Sequence, residues 1–298
     1  MNIGGVAIED SFAEAFAMKA TRIVITADSE RWARISADSL TGFATSVIAC
    51  GCEAGIERAL GPDETPDGRP GIAVLIFGMS TKELQKQLQN RVGQCVLTAA
   101  GSACFAGIDG DDKLKLGAAL RYFGDGFQIA KKFGDRRFWR VPVMDGEFLC
   151  EDTTGIVKGV GGGNLLILAA SKRAALAATE AAVVAMRKLP NIILPFPGGI
   201  VRSGSKVGSK YKVLPASTND AYCPTLRGAT RSALGPDVEA VLEIVIDGLA
   251  AADVAAAMRA GILAACAPEV AGGVVAITAG NYGGKLGQFH FHLRELMQ

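Results

Sequence analysis

The sequence predicts an α+β protein made of two tandem ferredoxin-like sandwiches, each a split β-α-β plan with Gly-rich loop insertions. Three observations carry this expectation. Apolar strand-like runs alternate with capped helical segments in the order β-α-β-β-α-β over the first half. The second half repeats that plan. The stretches GIAVLIFGMSTKELQKQLQNRVGQCVLTA and VLEIVIDGLAAADVAAAMRAGILAACAPEVAGGVVAITAG share a strand, a short Gly-containing turn, a helix and a returning strand. With 298 residues there is chain enough for two lobes, and the boundary is expected near residue 150, giving lobes 1–150 and 151–298.

From the start, RIVIT (22–26) reads as a buried strand, SERWARISADSLTG as a helix capped by Ser29, and FATSVIAC (43–50) as a second strand. The insert GPDETPDGRPG is rich in turn residues. GIAVLIFG is again a strand. STKELQKQLQNRVG is a helix with Ser80 or Thr81 as cap and Glu83 in its first turn, and GQCVLTA (93–99) is a closing strand. The alternation in RRFWRVPVMDGEFLCE predicts an extra hairpin between the halves. NLLILAA, the helix SKRAALAATEAAVVAMRKL and the strand IILPFPGGIV (192–201) then begin the second set, which VEAVLEIVIDGL, AAADVAAAMRAGILAACA and GVVAITAG complete.

Charge is balanced, 31 basic against 30 acidic residues, which removes the main driver of non-specific nucleic-acid binding. Seven cysteines, several within apolar runs, read as small core residues of a reducing compartment, and Cys50 and Cys52 form CxC rather than a zinc-type CxxC. No metal site is expected. The only histidines, His290 and His292, alternate on a terminal strand, a spacing that fits neither a helical HExxH nor a hydrolase triad. The N-terminus has no basic region followed by an apolar core, and no apolar run reaches membrane-spanning length, so a cytoplasmic protein is expected.

Two features point to chemistry. Glu243 is a lone acid between Leu242 and Ile244 in an otherwise β-favouring run. Either the face bearing Glu239, Val241, Glu243, Val245 and Asp247 is solvated, or Glu243 stands in a partly dry cleft. There desolvation would keep it protonated near neutrality and able to serve an oxyanion or a leaving amine. The second feature is the loop 196–224, FPGGIVRSGSKVGSKYKVLPASTNDAYCP, with four glycines and four basic residues in 29 positions. No glycine directly precedes Lys206 or Lys210, so it is not a phosphate-binding Walker loop. Its glycines allow close backbone approach, Ser203, Ser205, Ser209, Ser217, Thr218 and Asn219 offer donors and acceptors, and Arg202, Lys206, Lys210 and Lys212 suit an anionic or highly polar ligand. A solvated surface loop would use the same residue types. A further Gly-rich stretch, AGNYGGKLGQFHFHL (279–293), brings Asn281, Lys285 and Gln288 as candidates for the same cleft, or merely turns the chain. GVGGGN (159–164) precedes a strand rather than a helix and is no dinucleotide motif.

The set GVAIEDSFAEAF, ETPDGRPG, GQCVLTA, FPGGIVRSGSKVGSK, LPASTNDAYCPT, EIVIDGL and AGNYGGKLGQFHFHL, running from the first ten residues to the last ten, resembles the formylmethanofuran:tetrahydromethanopterin N-formyltransferases. The resemblance implies formyl transfer between N5 of tetrahydromethanopterin and the amine of methanofuran. These are carrier substrates, with no metal or tightly bound cofactor. It places the family's cleft acid at Glu243. The loop 196–224 would then hold the carriers, with Arg202, Ser203, Lys206, Ser209, Lys210, Asn219, Asp220, Tyr222, Asn281 and Lys285 as candidate contacts. Neutral charge and an Ala- and Arg-rich composition are more similar to the version of methylotrophic bacteria, which works beside hydrolase subunits in formaldehyde oxidation. Self-association is also implied. A non-catalytic scaffold subunit of such a complex is the alternative reading.

Overall fold

In the computed structural model, which describes residues 1–298, one long strand organises the chain. The elements used below are β1 (Val6–Ile8), β2 (Phe12–Thr26), α1 (Glu30–Thr41), β3 (Glu53–Leu60), β4 (Gly71–Gly78), α2 (Thr81–Arg91) and β5 (Ala103–Ala106). After them come the hairpin β6 (Arg136–Val143) and β7 (Gly146–Glu151), then β8 (Thr153–Ala169), α3 (Lys172–Met186), β9 (Ile192–Ile193), β10 (Ala240–Gly248), α4 (Ala251–Ala265), β11 (Val274–Thr278) and β12 (Phe289–His292).

Strand order is β5-β2-β4-β3 in the first half and β11-β8-β10-β9 in the second, antiparallel throughout. The extra lengths of β2 and β8 then pair with each other, Ala20 opposite Val157 through Phe16 opposite Gly161, so the two sets merge into one large mixed sheet of an α+β fold. The chain ends weave the halves further. β1 runs parallel to β11, placing Ala7 beside Ala276, and β12 pairs with β2.

The helices begin where the sequence expects. Ser29, Ser80 and Ser171 accept hydrogen bonds from the backbone N–H of Trp32, Glu83 and Ala174, satisfying donors that the first turn leaves open. Ala250 cannot cap α4 with its side chain; instead Asp253 turns back to accept from the Ala250 N–H. Helix faces bury against one side of the sheet. In the second half Leu165, Ile167, Ile244 and Ile246 meet Ala178, Ala182 and Met186 of α3 and Ala257, Met258 and Ile262 of α4. Each larger side chain among them contributes about 1.5–3 kcal/mol. A Cβ on Gly261 would lie 2.0 Å from Met186 Cε, so the end of the Met186 side chain packs into the space that this glycine leaves open. All seven cysteines are free thiols, and Cys52, Cys104, Cys150 and Cys266 are buried.

Three elements differ from expectation. FATSVIAC is not a strand: Ser46 caps a helical turn at Val47–Cys50, Gly51 ends it at φ 79°, and the strand starts at Glu53. GQCVLTA is not a strand either. Val92–Val96 continues α2 as a π-helical turn that buries Val92 and Val96 beside Leu88, and the closing strand waits until Ala103. Burial on the helix face outweighs the β preference of valine there. IILPFPGGIV keeps only Ile192–Ile193 as strand, because Pro195 and Pro197 lack the N–H that a ladder requires.

Candidate active site

Alternation along β10 sends Ile244 and Ile246 into the helix-side core and Val241, Glu243, Val245 and Asp247 to the opposite face. That face is not bare. Residues 202–238 cross it, and Leu234 and Val238 pack with Leu166, Leu168 and Ala276, with Tyr222 and Val241 against them. Glu243 therefore lies under a roof. Its backbone exchanges two hydrogen bonds with Val201, at 2.8 and 2.9 Å, which ties the start of the loop to the strand directly alongside the acid.

The cleft so formed, about 40 Å³, is lined by Glu243, Val241, Leu166 and Val201 and by Arg202, Ser203, Asn219, Tyr222 and Cys223 of the loop. No hydrogen bond or ion pair reaches the Glu243 carboxyl. Desolvation acts on it unopposed and pushes its pKa up to about 7. Such an acid is half neutral near neutrality, so it can donate to an oxygen that gains negative charge or pass a proton to a departing nitrogen. A larger cavity of about 620 Å³ lies between α1, β3 and residues 192–198; its acids Asp38 and Glu57 are already paired with Arg34 and Arg22.

Two other acids on the Glu243 face of the sheet have contrasting fates. Asp247, on the same strand, is fully buried; one oxygen accepts from Gly162 N–H at 3.0 Å and the other has no hydrogen-bond partner. Burial, with the Glu53 carboxyl against it, pushes Asp247 well above the ordinary range, and burial raises Glu53 as well. Groups raised in the folded state stabilise fully below their unfolded pKa and lose that contribution as pH rises through the folded values. Denaturant midpoints should therefore fall in the wild type as pH rises above the ordinary carboxylate range, and the fall should shrink in Asp247→Asn, which keeps an acceptor for Gly162.

Glu14 of β2 behaves oppositely. It is buried, and burial alone would raise it. Four backbone N–H groups, from Tyr282, Gly284, Leu286 and Gly287, lie 2.6–2.9 Å from its two oxygens and hold it down at about 2.

The structure gathers Glu243, Arg202, Ser203, Asn219 and Tyr222 around one cleft. It places the other expected contacts elsewhere. Lys206 and Asp220 form an ion pair at the foot of a short hairpin in which Lys206–Val207 pairs with Ala216–Ser217, and Ser209 and Lys210 stand near its tip. Ser209 accepts from the Tyr211 N–H. Asn281 holds its own turn, donating to Phe12 O and accepting from Gly283 N–H, while Lys285 is exposed. Gln288 accepts from Ala17 N–H. Sequence reasoning passed over Glu14, although it carries the signal that singled out Glu243: one acid inside an apolar strand, FAEAFAMKA. It also passed over Asn164, whose amide bonds Gly280 at both N–H and carbonyl. No group of three or more His, Cys, Asp or Glu is placed to hold a metal.

Comparison with known proteins matches both halves. A family model described as formylmethanofuran-tetrahydromethanopterin formyltransferase covers residues 1–143, and one described as its proximal lobe covers 146–296. Among relatives of that name, the Methylococcus capsulatus protein is 66% identical over the full length of both chains, and the Methanopyrus kandleri protein is 50% identical over 99% of this chain and all of its own. One component of the formyltransferase/hydrolase complex of Methylorubrum extorquens is 57% identical over 99% of this chain and 97% of its own. The crystal structure of that complex with methylofuran contains a chain that superposes with a TM-score of 0.97 at 56% identity, covering 100% of this chain and 99% of its own. The formyltransferase of Methanosarcina barkeri gives 0.93 at 48%, covering 99% and 100%.

Proposed function

The chain belongs to the formylmethanofuran–tetrahydromethanopterin formyltransferase family, and on that premise we propose that it transfers a formyl group between N5 of tetrahydromethanopterin and the amine of methanofuran, with Glu243 as the acid at the reacting carbon. The observation that carries this reading is the unpaired Glu243 carboxyl, held near a pKa of about 7 by burial alone in a polar-lined cleft.

In the proposed step the acceptor nitrogen attacks the formamide carbon, and the carbonyl π pair moves onto oxygen. Protonated Glu243 donates to that oxygen as it gains charge. Collapse re-forms the C=O bond and breaks the bond to the donor nitrogen, which takes the Glu243 proton, and the carboxylate left behind takes the proton that the acceptor nitrogen gives up. Holding both carriers together removes most of the entropic barrier, and one well-aimed donor contributes about 100-fold or more. Arg202, Ser203, Asn219 and Tyr222 orient the formamide. The hairpin residues Lys206, Ser209 and Lys210, with Asp220, Asn281 and Lys285, meet the polar ends of the carriers.

We further assign the two four-stranded sets to ferredoxin-like lobes, 1–150 and 151–298, whose strand order supports that description. The high identity to a component of such a complex supports hydrolase partners, and the chain works as a self-associating cytoplasmic protein of C1 metabolism. No helix is long and apolar enough to cross a membrane.

Formyl exchange with both carriers, followed by mass detection of formylmethanofuran, tests the assignment; absence of product from folded protein would reject it. The pH profile provides a second check. Activity that needs protonated Glu243 is present below its raised pKa and is lost as pH climbs through about 7. That alkaline limb should be missing from the residual activity of Glu243→Gln.

A further inference from the structure

We propose that Glu14 is a positioning residue for this site: from β2 its buried carboxylate gathers the backbone of the turn 282–287 and holds the Tyr282 ring on the sheet face that carries Glu243. The inference rests on the transfer reading above and deepens it.

The turn reaches the site by register. Glu243 and Thr278 lie opposite Leu166 on its two sides, so they share a face of the sheet, and the turn leaves β11 just beyond Thr278. Asn164 fastens Gly280 at both ends of its peptide, N–H to Oδ1 at 2.6 Å and Nδ2 to O at 3.0 Å. The Glu14 carboxylate then takes four of the next N–H groups. A Cβ on Gly287 would come 2.7 Å from Glu14 Cγ and 2.5 Å from Ala15 O, so the turn closes this tightly on β2 only because that residue is glycine. Phe16, two residues from Glu14 on the same face of β2, packs its ring 5.9 Å from that of Tyr282.

No cation pairs with Glu14. A buried ionised carboxylate costs several kcal/mol unless it is compensated, and here only the turn's amides compensate it. The turn and the charge thus depend on each other. Burial and the charges of Glu243 and Glu14 together raise the Tyr282 phenol, so the ring feels the proposed catalytic acid. Glu14 itself lies buried beneath the turn, both its oxygens taken up by the turn's amides.

The test compares wild type, Glu14→Gln, Tyr282→Phe and the double variant in steady-state formyl transfer with both carriers, alongside amide hydrogen exchange over residues 280–288. Glutamine offers one acceptor oxygen and turns an NH2 toward N–H groups. Glu14→Gln should therefore lose protection across the turn and lower kcat/KM by about tenfold or more, chiefly through KM, with the alkaline limb assigned to Glu243 retained. The double variant should be no worse than Glu14→Gln alone, because both changes disable one element. Unchanged KM and kcat in folded Glu14→Gln, or multiplicative losses in the double variant, would overturn the positioning role. Should Glu14→Gln fail to fold, Tyr282→Ala probes the same element at a half-exposed ring, and an unaltered kcat/KM there overturns the proposal. Wild type inactive with both carriers rejects the transfer reading itself.

Discussion

Glu243→Gln is expected to fold as the wild type does and to lose turnover by about 100-fold or more. The side chains are nearly isosteric, and the native carboxyl has no hydrogen bond or ion pair to forfeit, so stability should change little. Any change should favour the variant above neutral pH, where the wild type must bury a charge. Chemistry is another matter. An amide N–H is a far weaker acid than a carboxyl, so it can neither follow charge onto the oxyanion nor release a proton to the departing nitrogen. Steady-state kcat with both carriers, set against an unchanged denaturation midpoint, is the deciding pair of measurements. Near wild-type turnover would remove Glu243 from the mechanism.

Glu57→Ala is expected to have the largest effect on stability, about 3–5 kcal/mol in a denaturant titration. Glu57 of β3 receives both Nε and Nη2 of Arg22, at 2.6 and 2.7 Å, and its Oε1 also accepts from Asn191 N–H at 2.7 Å. Arg22 Nη2 in turn donates to Asn191 Oδ1 at 2.8 Å. Asn191, at φ 66°, stands just before β9, so the network clamps the edge strand of the first set to that of the second. The Glu57 side chain is only 4% exposed and that of Arg22 19%, which removes most of the solvent screening that makes surface pairs weak. Alanine would strand a guanidinium and a backbone N–H together. The clamp also bears on function, because β9 leads into the segment that reaches Glu243 through Val201. A loss below about 1 kcal/mol would mean that water replaces the carboxylate, and the junction would then be held by packing alone.

Much of this was legible in the residues. The serines before three helices, the alternation in RRFWRVPVMDGEFLCE and the repeated strand–turn–helix pattern are local signals, and they lead to the helices, the hairpin and the order of elements seen here. Of the misread elements, GQCVLTA is the one in which local preference and tertiary burial disagree, whereas FATSVIAC and 192–201 carried local signals of their own, the Ser46 cap with Gly51 and two prolines. Val96 favours strand in isolation, yet it continues the helical path beyond α2 because Leu84, Leu88 and Val92 already define a buried stripe beside it. In 192–201 the apolar letters outnumbered two prolines whose missing N–H groups mattered more.

The site divides along the same line. By itself the sequence determined that one acid, Glu243, is embedded in apolar strand, that a long Gly- and Ser-rich loop accompanies it, and that no metal-type spacing competes, since each is a property of neighbouring residues. Only the tertiary structure decided that 202–238 covers the face opposite the helices, that Arg202, Ser203, Asn219 and Tyr222 line the cleft of the acid while Lys206 is paired with Asp220 on an outer hairpin, and that Glu14 is charged whereas Glu243 tends to neutrality. Both are single acids in apolar strands. What separates them is the supply of backbone N–H groups from residues more than 260 positions away in one case and the absence of any donor in the other. Ionisation of a buried group is set by whatever surrounds it in space, which no stretch of sequence contains.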